Sequence, residues 1–199
     1  LLCLWTIAAD AAPDKAVLAP AFTASPKDLL SAASRAAASD APVVVLRKEN
    51  VQTYDDKGRG ASRFRMIYVV RTAAGVDDWG TLSSTWRPFY QDKPVLRARV
   101  IEPSGRVSDL DPSLIHDAPA VSDSPTVYSD LRDIEAPLPR LQIGSVVEVE
   151  ITTTDRIPLL DAGSVDRFTY ASGVINESVT LVISAPASRK VTVIPRGRA

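Results

Sequence analysis

Histidine and cysteine are almost missing from this chain. His116 and Cys3 are the only examples in 199 residues. One of each cannot furnish a His/Cys zinc site, and it leaves no choice of Cys-His or Ser-His relay. An excess of charge of either sign is also missing, with 23 Lys and Arg against 24 Asp and Glu. No basic stripe gathers, so nucleic acid is not an expected partner, because phosphate binding needs clustered Lys and Arg. Glycine is scarce beside proline, nine against fifteen. Most prolines fall between apolar runs, where they punctuate strands. A membrane-spanning segment is lacking too. The apolar run at residues 1–9 is too short, since a spanning helix needs about 20 residues.

That run ends in Ala9-Asp10-Ala11, the small-x-small pattern of a signal-peptidase site. Residues 1–11 are therefore expected to be the remnant of a signal peptide, and the protein to be exported, periplasmic or at the cell surface. Cys3 would leave with the leader, so no disulfide is expected and stability must come from the core. Residues 12–42 read as a linker and a helix. Ser25-Pro26-Lys27-Asp28 supplies a cap, a proline for the first turn and an acid facing the positive helix end. Leu29, Leu30, Ala33, Ala36 and Ala37 then make a narrow apolar stripe, predicting a helix through Asp40, with Pro42 as the stop.

From residue 43 the period changes to two. Val43 to Tyr54 and Ser62 to Thr72 flank a turn at Asp55–Gly60 and are predicted to pair as an antiparallel hairpin. Val95–Glu102 and Val107–Leu110 flank the Pro103–Arg106 turn. A loop is expected at 111–127. Val146–Thr152, Phe168–Ala171, Glu177–Ser184 and Lys190–Ile194 complete the strands. Many short strands without a second long helix predict a mainly β, antiparallel, sandwich-like domain over 43–199 with one N-terminal helix.

The most distinctive string is Gly75-Val76-Asp77-Asp78-Trp79-Gly80, with Trp86 close behind. Asp77, Asp78, Trp79 and Trp86 form the candidate binding surface, a sugar-stacking platform or a partner hot spot. The competing reading packs Trp79 over a sheet edge. Asp117 beside His116 could orient a general base, but a polar loop after a turn capped by Asp111 explains both. Asp109, Asp111, Asp117 and Asp123 lack the spacing of a calcium loop and read as turn and cap residues. No catalytic residue, metal ligand or cofactor site is assigned. Arg63, Arg65, Arg97 and Arg99 alternate outward, as do Glu148 and Glu150, which predicts a solvated, charge-balanced face.

Three strings in order carry a resemblance. Ala74–Gly80 follows a basic strand. Leu96–Val107 is followed by Leu110-Asp111-Pro112-Ser113, and Ala136–Glu148 closes the set. Over roughly residues 43–195 the chain resembles the domain of unknown function found N-terminal to transglutaminase-like cores in exported bacterial proteins. The resemblance implies a transglutaminase N-terminal-like β fold and a C-terminal transglutaminase-like domain in the same polypeptide, carrying Cys, His and Asp. It implies a non-catalytic module that is structural or that presents a peptide or cell-wall partner. It transfers no site residue. An autonomous carbohydrate- or protein-binding β-sandwich is the alternative, favoured if Trp79 and Trp86 share an open face.

Overall fold

A computed structural model describes residues 20–120, 129–160, 164–169 and 173–194. The expected leader with Cys3, the start of the linker, Asp123 and the end of the strand expected at 168–171 lie outside the described residues. Strand makes up 43% and helix 12%, so the fold is mainly β, with two sheets.

Helix α1 spans Pro26–Arg35. Ser25 caps it, its hydroxyl accepting the Asp28 N–H at 3.1 Å. The helix ends at Arg35 rather than Asp40. Ala36 is already extended, and the Ala37 N–H donates to a Glu177 carboxylate oxygen at 3.0 Å instead of continuing the helix.

The large sheet contains β1 (Val43–Tyr54), β2 (Gly60–Val70), β4 (Val95–Ile101), β5 (Val107–Asp109), β8 (Val146–Thr154), β9 (Ile175–Asn176) and β10 (Val179–Ser184). Its order is β10-β1-β2-β8-β4-β5, with β9 also on β1. The predicted hairpin is present: Val43 pairs with Val70 and Tyr54 with Gly60. Asp55 builds its turn by accepting the Lys57 and Arg59 N–H groups, each at 2.9 Å.

The sheet is not wholly antiparallel, because β9 and β10 both run parallel to β1. Ahead of β9, Lys48 Nζ on β1 donates to the Thr169 carbonyl at 3.3 Å. Lys190–Ile194 is not a strand, and neither is the described part of 168–171.

The small sheet is β3 (Thr81–Trp86), β6 (His116–Pro119) and β7 (Arg132–Pro137), in the order β3-β7-β6. It was not legible in the sequence, where β6 falls in the expected 111–127 loop. Its strands are short and polar, and only Leu82, Trp86, Ile134 and Ala136 turn inward to the core. Between β5 and β6 lies a one-turn 3-10 helix, Pro112–Leu114, capped by Asp111.

The main core lies between the sheets. Val43, Val45, Tyr68, Val70, Val100, Val147 and Val149 from the large sheet meet Leu82, Trp86, Ile134 and Ala136 from the small one. A second core lies on the opposite face of the large sheet, where Leu29, Ala33 and Ala36 cover Val44, Ile67, Val69, Ile101 and Val146. The sheet is therefore apolar on both faces along part of its length. Burying one such side chain contributes about 1.5–3 kcal/mol.

Candidate functional site

Helix α2 (Ala73–Asp78) forms the corner that the sequence singled out. Thr72 caps it, its hydroxyl accepting the Gly75 N–H at 3.1 Å. Gly75 is buried, and a Cβ there would stand 2.2 Å from the Pro42 carbonyl oxygen. Only glycine lets α2 lie this close to the start of β1. Trp79 follows as the C-cap, with its ring 5.1 Å from that of Tyr68 at 59°. The Tyr68 hydroxyl donates to the Trp79 carbonyl at 3.1 Å, and burial raises its pKa above the ordinary value.

Of the four candidate residues, Asp77 and Asp78 are exposed and Trp79 is partly buried. Trp86 stands apart on β3, 8% exposed within the core. Its indole N–H donates to Asp117 Oδ1 at 3.3 Å. The two indoles do not share an open face.

His116 is exposed on β6, opposite Glu135. Asp117 is engaged elsewhere. It accepts Arg132 Nε at 2.8 Å and pairs with Lys93 Nζ at 3.2 Å. Burial pushes the Asp117 carboxyl up, but these partners and Trp86 hold it below the usual carboxylate range. Asp117 is thus spent on cross-strand ties. Asp111 caps the 3-10 helix, and Asp109 is exposed on β5. Among the described residues no group of three or more His, Cys, Asp or Glu is placed to hold a metal ion.

Of the face expected to be solvated, Arg97 is exposed and Arg63 partly so, but the other charges are buried. Glu148 is 0% exposed, Arg65 2%, Glu49 6%, Glu150 7% and Arg99 8%. Their strands place opposite charges side by side, Glu49 opposite Arg65, Arg65 opposite Glu150 and Arg99 opposite Glu148. Arg65 Nε donates to Glu148 Oε1 at 3.0 Å, and Arg99 Nε donates to Glu148 Oε2 at 2.9 Å.

The chain before α1 closes this row of charges. The Phe22 N–H donates to Glu148 Oε1 at 2.8 Å, and Arg99 Nη2 donates to the Ala24 carbonyl at 2.8 Å. The Phe22 ring lies 4.6 Å from the Arg97 guanidinium and 5.7 Å from that of Arg99. Phe22 holds φ at +65°, a costly angle for a non-glycine residue that these contacts offset. Burial alone would raise the Glu148 pKa, but the Phe22 N–H, Arg65 and Arg99 bring it below the ordinary value. Arg63, in contrast, is partly buried and lies toward the hairpin tip. The sequence signal for this arrangement is the alternation of Arg on β2 and β4 and of Glu on β8. The cover was missed because nothing in residues 20–24 has a period.

The end of the large sheet at the β1–β2 turn is different. Residues 88–92 run beside the end of β8. The Arg156 N–H donates to the Tyr90 carbonyl at 2.7 Å, and the Asp155 N–H donates to the Gly60 carbonyl at 2.8 Å. Asp155 accepts the Gly60 N–H at 3.0 Å and Gln91 Nε2 at 3.2 Å. Tyr54 donates its hydroxyl to Asp166. Burial raises the Asp155 pKa, with Asp166 adding to the rise against the two hydrogen bonds. Around this polar knot stand exposed apolar side chains: Phe89 (72%), Ile157 (44%), Leu159 (54%), Leu160 (49%) and Val165 (88%). They were not legible in the sequence, because they sit in loops without periodicity.

A hollow of about 430 Å³ lies between the start of α1 and the Pro103–Gly105 turn, with Lys27 its only charged lining residue. No described helix is long and apolar enough to cross a membrane.

The DUF3857 family, a domain of unknown function with a solved structure, matches residues 56–196. No curated protein matches the chain. A solved protein from Parabacteroides distasonis ATCC 8503, provisionally described as a protease, shares the fold at TM-score 0.53 and 12% identity, over 58% of this chain and 23% of that one. An M1 zinc metallopeptidase from Deinococcus radiodurans, with bound Tyr-Ser-Ala substrate, aligns at TM-score 0.30 and 12% identity over 57% of this chain and 20% of that one. That score is too low to support a shared fold. The chain spans under a quarter of the length of these solved proteins.

Proposed function

We propose, from the premise that this chain belongs to the DUF3857 family, that it is the non-catalytic N-terminal β module of an exported bacterial protein of transglutaminase or protease type. It serves as a rigid body beside a catalytic core in the same polypeptide, and it positions peptide or cell-wall material for that core. One observation carries this reading: the same fold occupies only 23% of a longer solved protein provisionally described as a protease. The buried Arg-Glu row supports it. These charges are committed to one another and to the chain before α1, which suits a scaffold more than a reaction centre.

The test has two arms. The reading frame beyond Ala199 is expected to encode a Cys-His-Asp core. The 199-residue chain alone is expected to leave peptide and acyl-acceptor substrates unchanged. Turnover by the isolated chain, abolished in His116→Ala, would replace this proposal with an enzymatic one.

The autonomous binding module would be favoured by both indoles on one open face, and Trp86 lies in the core. Its remaining test is tryptophan fluorescence of the isolated chain on adding glycans or peptidoglycan fragments, with no change expected.

A further inference from the structure

We infer that the β1–β2 end of the large sheet is the docking face for the catalytic domain that follows in the same polypeptide. This rests on the proposed function above and assigns that domain a place to sit.

The first observation is the apolar surface itself. Phe89, Ile157, Leu159, Leu160 and Val165 are all more than two-fifths exposed. Backbone hydrogen bonds from residues 156 and 157 to Tyr90 bring the segments carrying Phe89 and Ile157 together. Ser164 donates its hydroxyl to the Gly58 carbonyl at 3.1 Å, placing Val165 beside the same turn. Isolated exposed apolar residues are ordinary, but a cluster of large ones at one end marks a contact surface.

The second observation says what covers it. Strand β10 runs parallel to β1 and finishes with Ser184 opposite Thr53, next to the β1–β2 turn. The chain stays at that end, because Arg189 donates to the Asp56 carbonyl. Val191 and Ile194, the last apolar side chains described, follow within five residues and are 43% and 70% exposed. A domain that continues from this point starts at the apolar end, with only a short connection to span. Contact between linked domains then needs little area, because the linker holds the local concentration high.

The knot beneath explains why the platform is firm. Asp155 bridges Gly60 and Gln91, and Tyr54 holds Asp166. Phe89 itself is pinned through its N–H to Asp130 Oδ2 at 3.1 Å. The apolar side chains are therefore displayed from loops tied at several points, so docking costs little ordering entropy.

The experiment compares hydrogen exchange in the 199-residue chain with that in the full-length polypeptide. Amides of Phe89, Tyr90, Gln91, Ile157, Leu159 and Leu160 are expected to exchange at least tenfold more slowly in the longer protein. The double variant Phe89→Glu, Leu159→Glu is expected to abolish that protection. It should split one thermal transition of the full-length protein into two, while leaving the melting of the isolated chain unchanged.

Equal exchange in both proteins, with a Cys-His-Asp core present, overturns the docking face and leaves the proposed function standing. A reading frame without such a core overturns both. A doubled mass of the isolated chain in light scattering, lost in the double variant, would assign the surface to a second copy and overturn the inference.

Discussion

Glu148 takes two arginines and one backbone N–H while fully buried, so its neutralisation removes a buried counter-charge from both cations. Losing one partner of a buried pair costs about 3–5 kcal/mol, and Glu148→Gln is expected to destabilise by that amount in urea denaturation at neutral pH. The pH dependence has a definite sign. The folded carboxyl titrates below its ordinary value of 4.5. Its contribution is complete above that value and is lost as pH falls through the depressed folded one. The stability gap between wild type and Glu148→Gln should therefore be wide at neutral pH and narrow on acidification. A gap that widens in acid would refute this account of the site. The alternation of Arg97, Arg99, Glu148 and Glu150 was legible in the sequence, and so was their common face. The burial of Arg99, Glu148 and Glu150 was not, because period two reports which residues share a side and not what lies over that side. Trp79 and Trp86 show the same limit: both were singled out, and packing uses them as wedges against Tyr68 and the core.

At the level of elements, α1 is the part most completely written in local sequence. Ser25, Pro26 and Asp28 do in the structure what their types predict. Ser25→Ala is expected to cost about 1 kcal/mol, read from the shift in the thermal midpoint. Helix α2 was invisible, since six residues with a central glycine carry no helical period. Its placement depends on Gly75 having no Cβ, and Gly75→Ala is expected to cost about 1–3 kcal/mol through the clash with the Pro42 carbonyl. Faster exchange of the amides after Thr72 would localise the damage, whereas an unchanged melting curve would show that the corner yields. The small sheet escaped prediction for a related reason. Strand β3 is mostly Ser and Thr, and β7 has only Ile134 and Ala136 inward beside Arg, Asp and Glu, so neither stands out from a polar loop.

For the whole molecule, the order β10-β1-β2-β8-β4-β5 puts β2 and β8 at the centre of the large sheet. Their amides are expected to exchange at rates near global unfolding, and those of β10 much faster, since every β10 residue is partly exposed. Native-state hydrogen exchange across β1, β2, β8 and β10 would reveal the gradient, and uniform protection would contradict it. The hairpins were readable because their partners are close in sequence. The parallel pairs were not, because β1 and β10 are separated by nearly the whole domain and no turn residue announces their meeting. That pairing bears on how the protein is made. During synthesis β1 emerges early and β10 last, so the Lys48–Thr53 side of β1 offers an unsatisfied backbone edge until translation of the domain is almost finished. A ribosome stalled before β10 would release a polypeptide with a sticky strand, prone to pairing with its own copies or to capture by a holding chaperone.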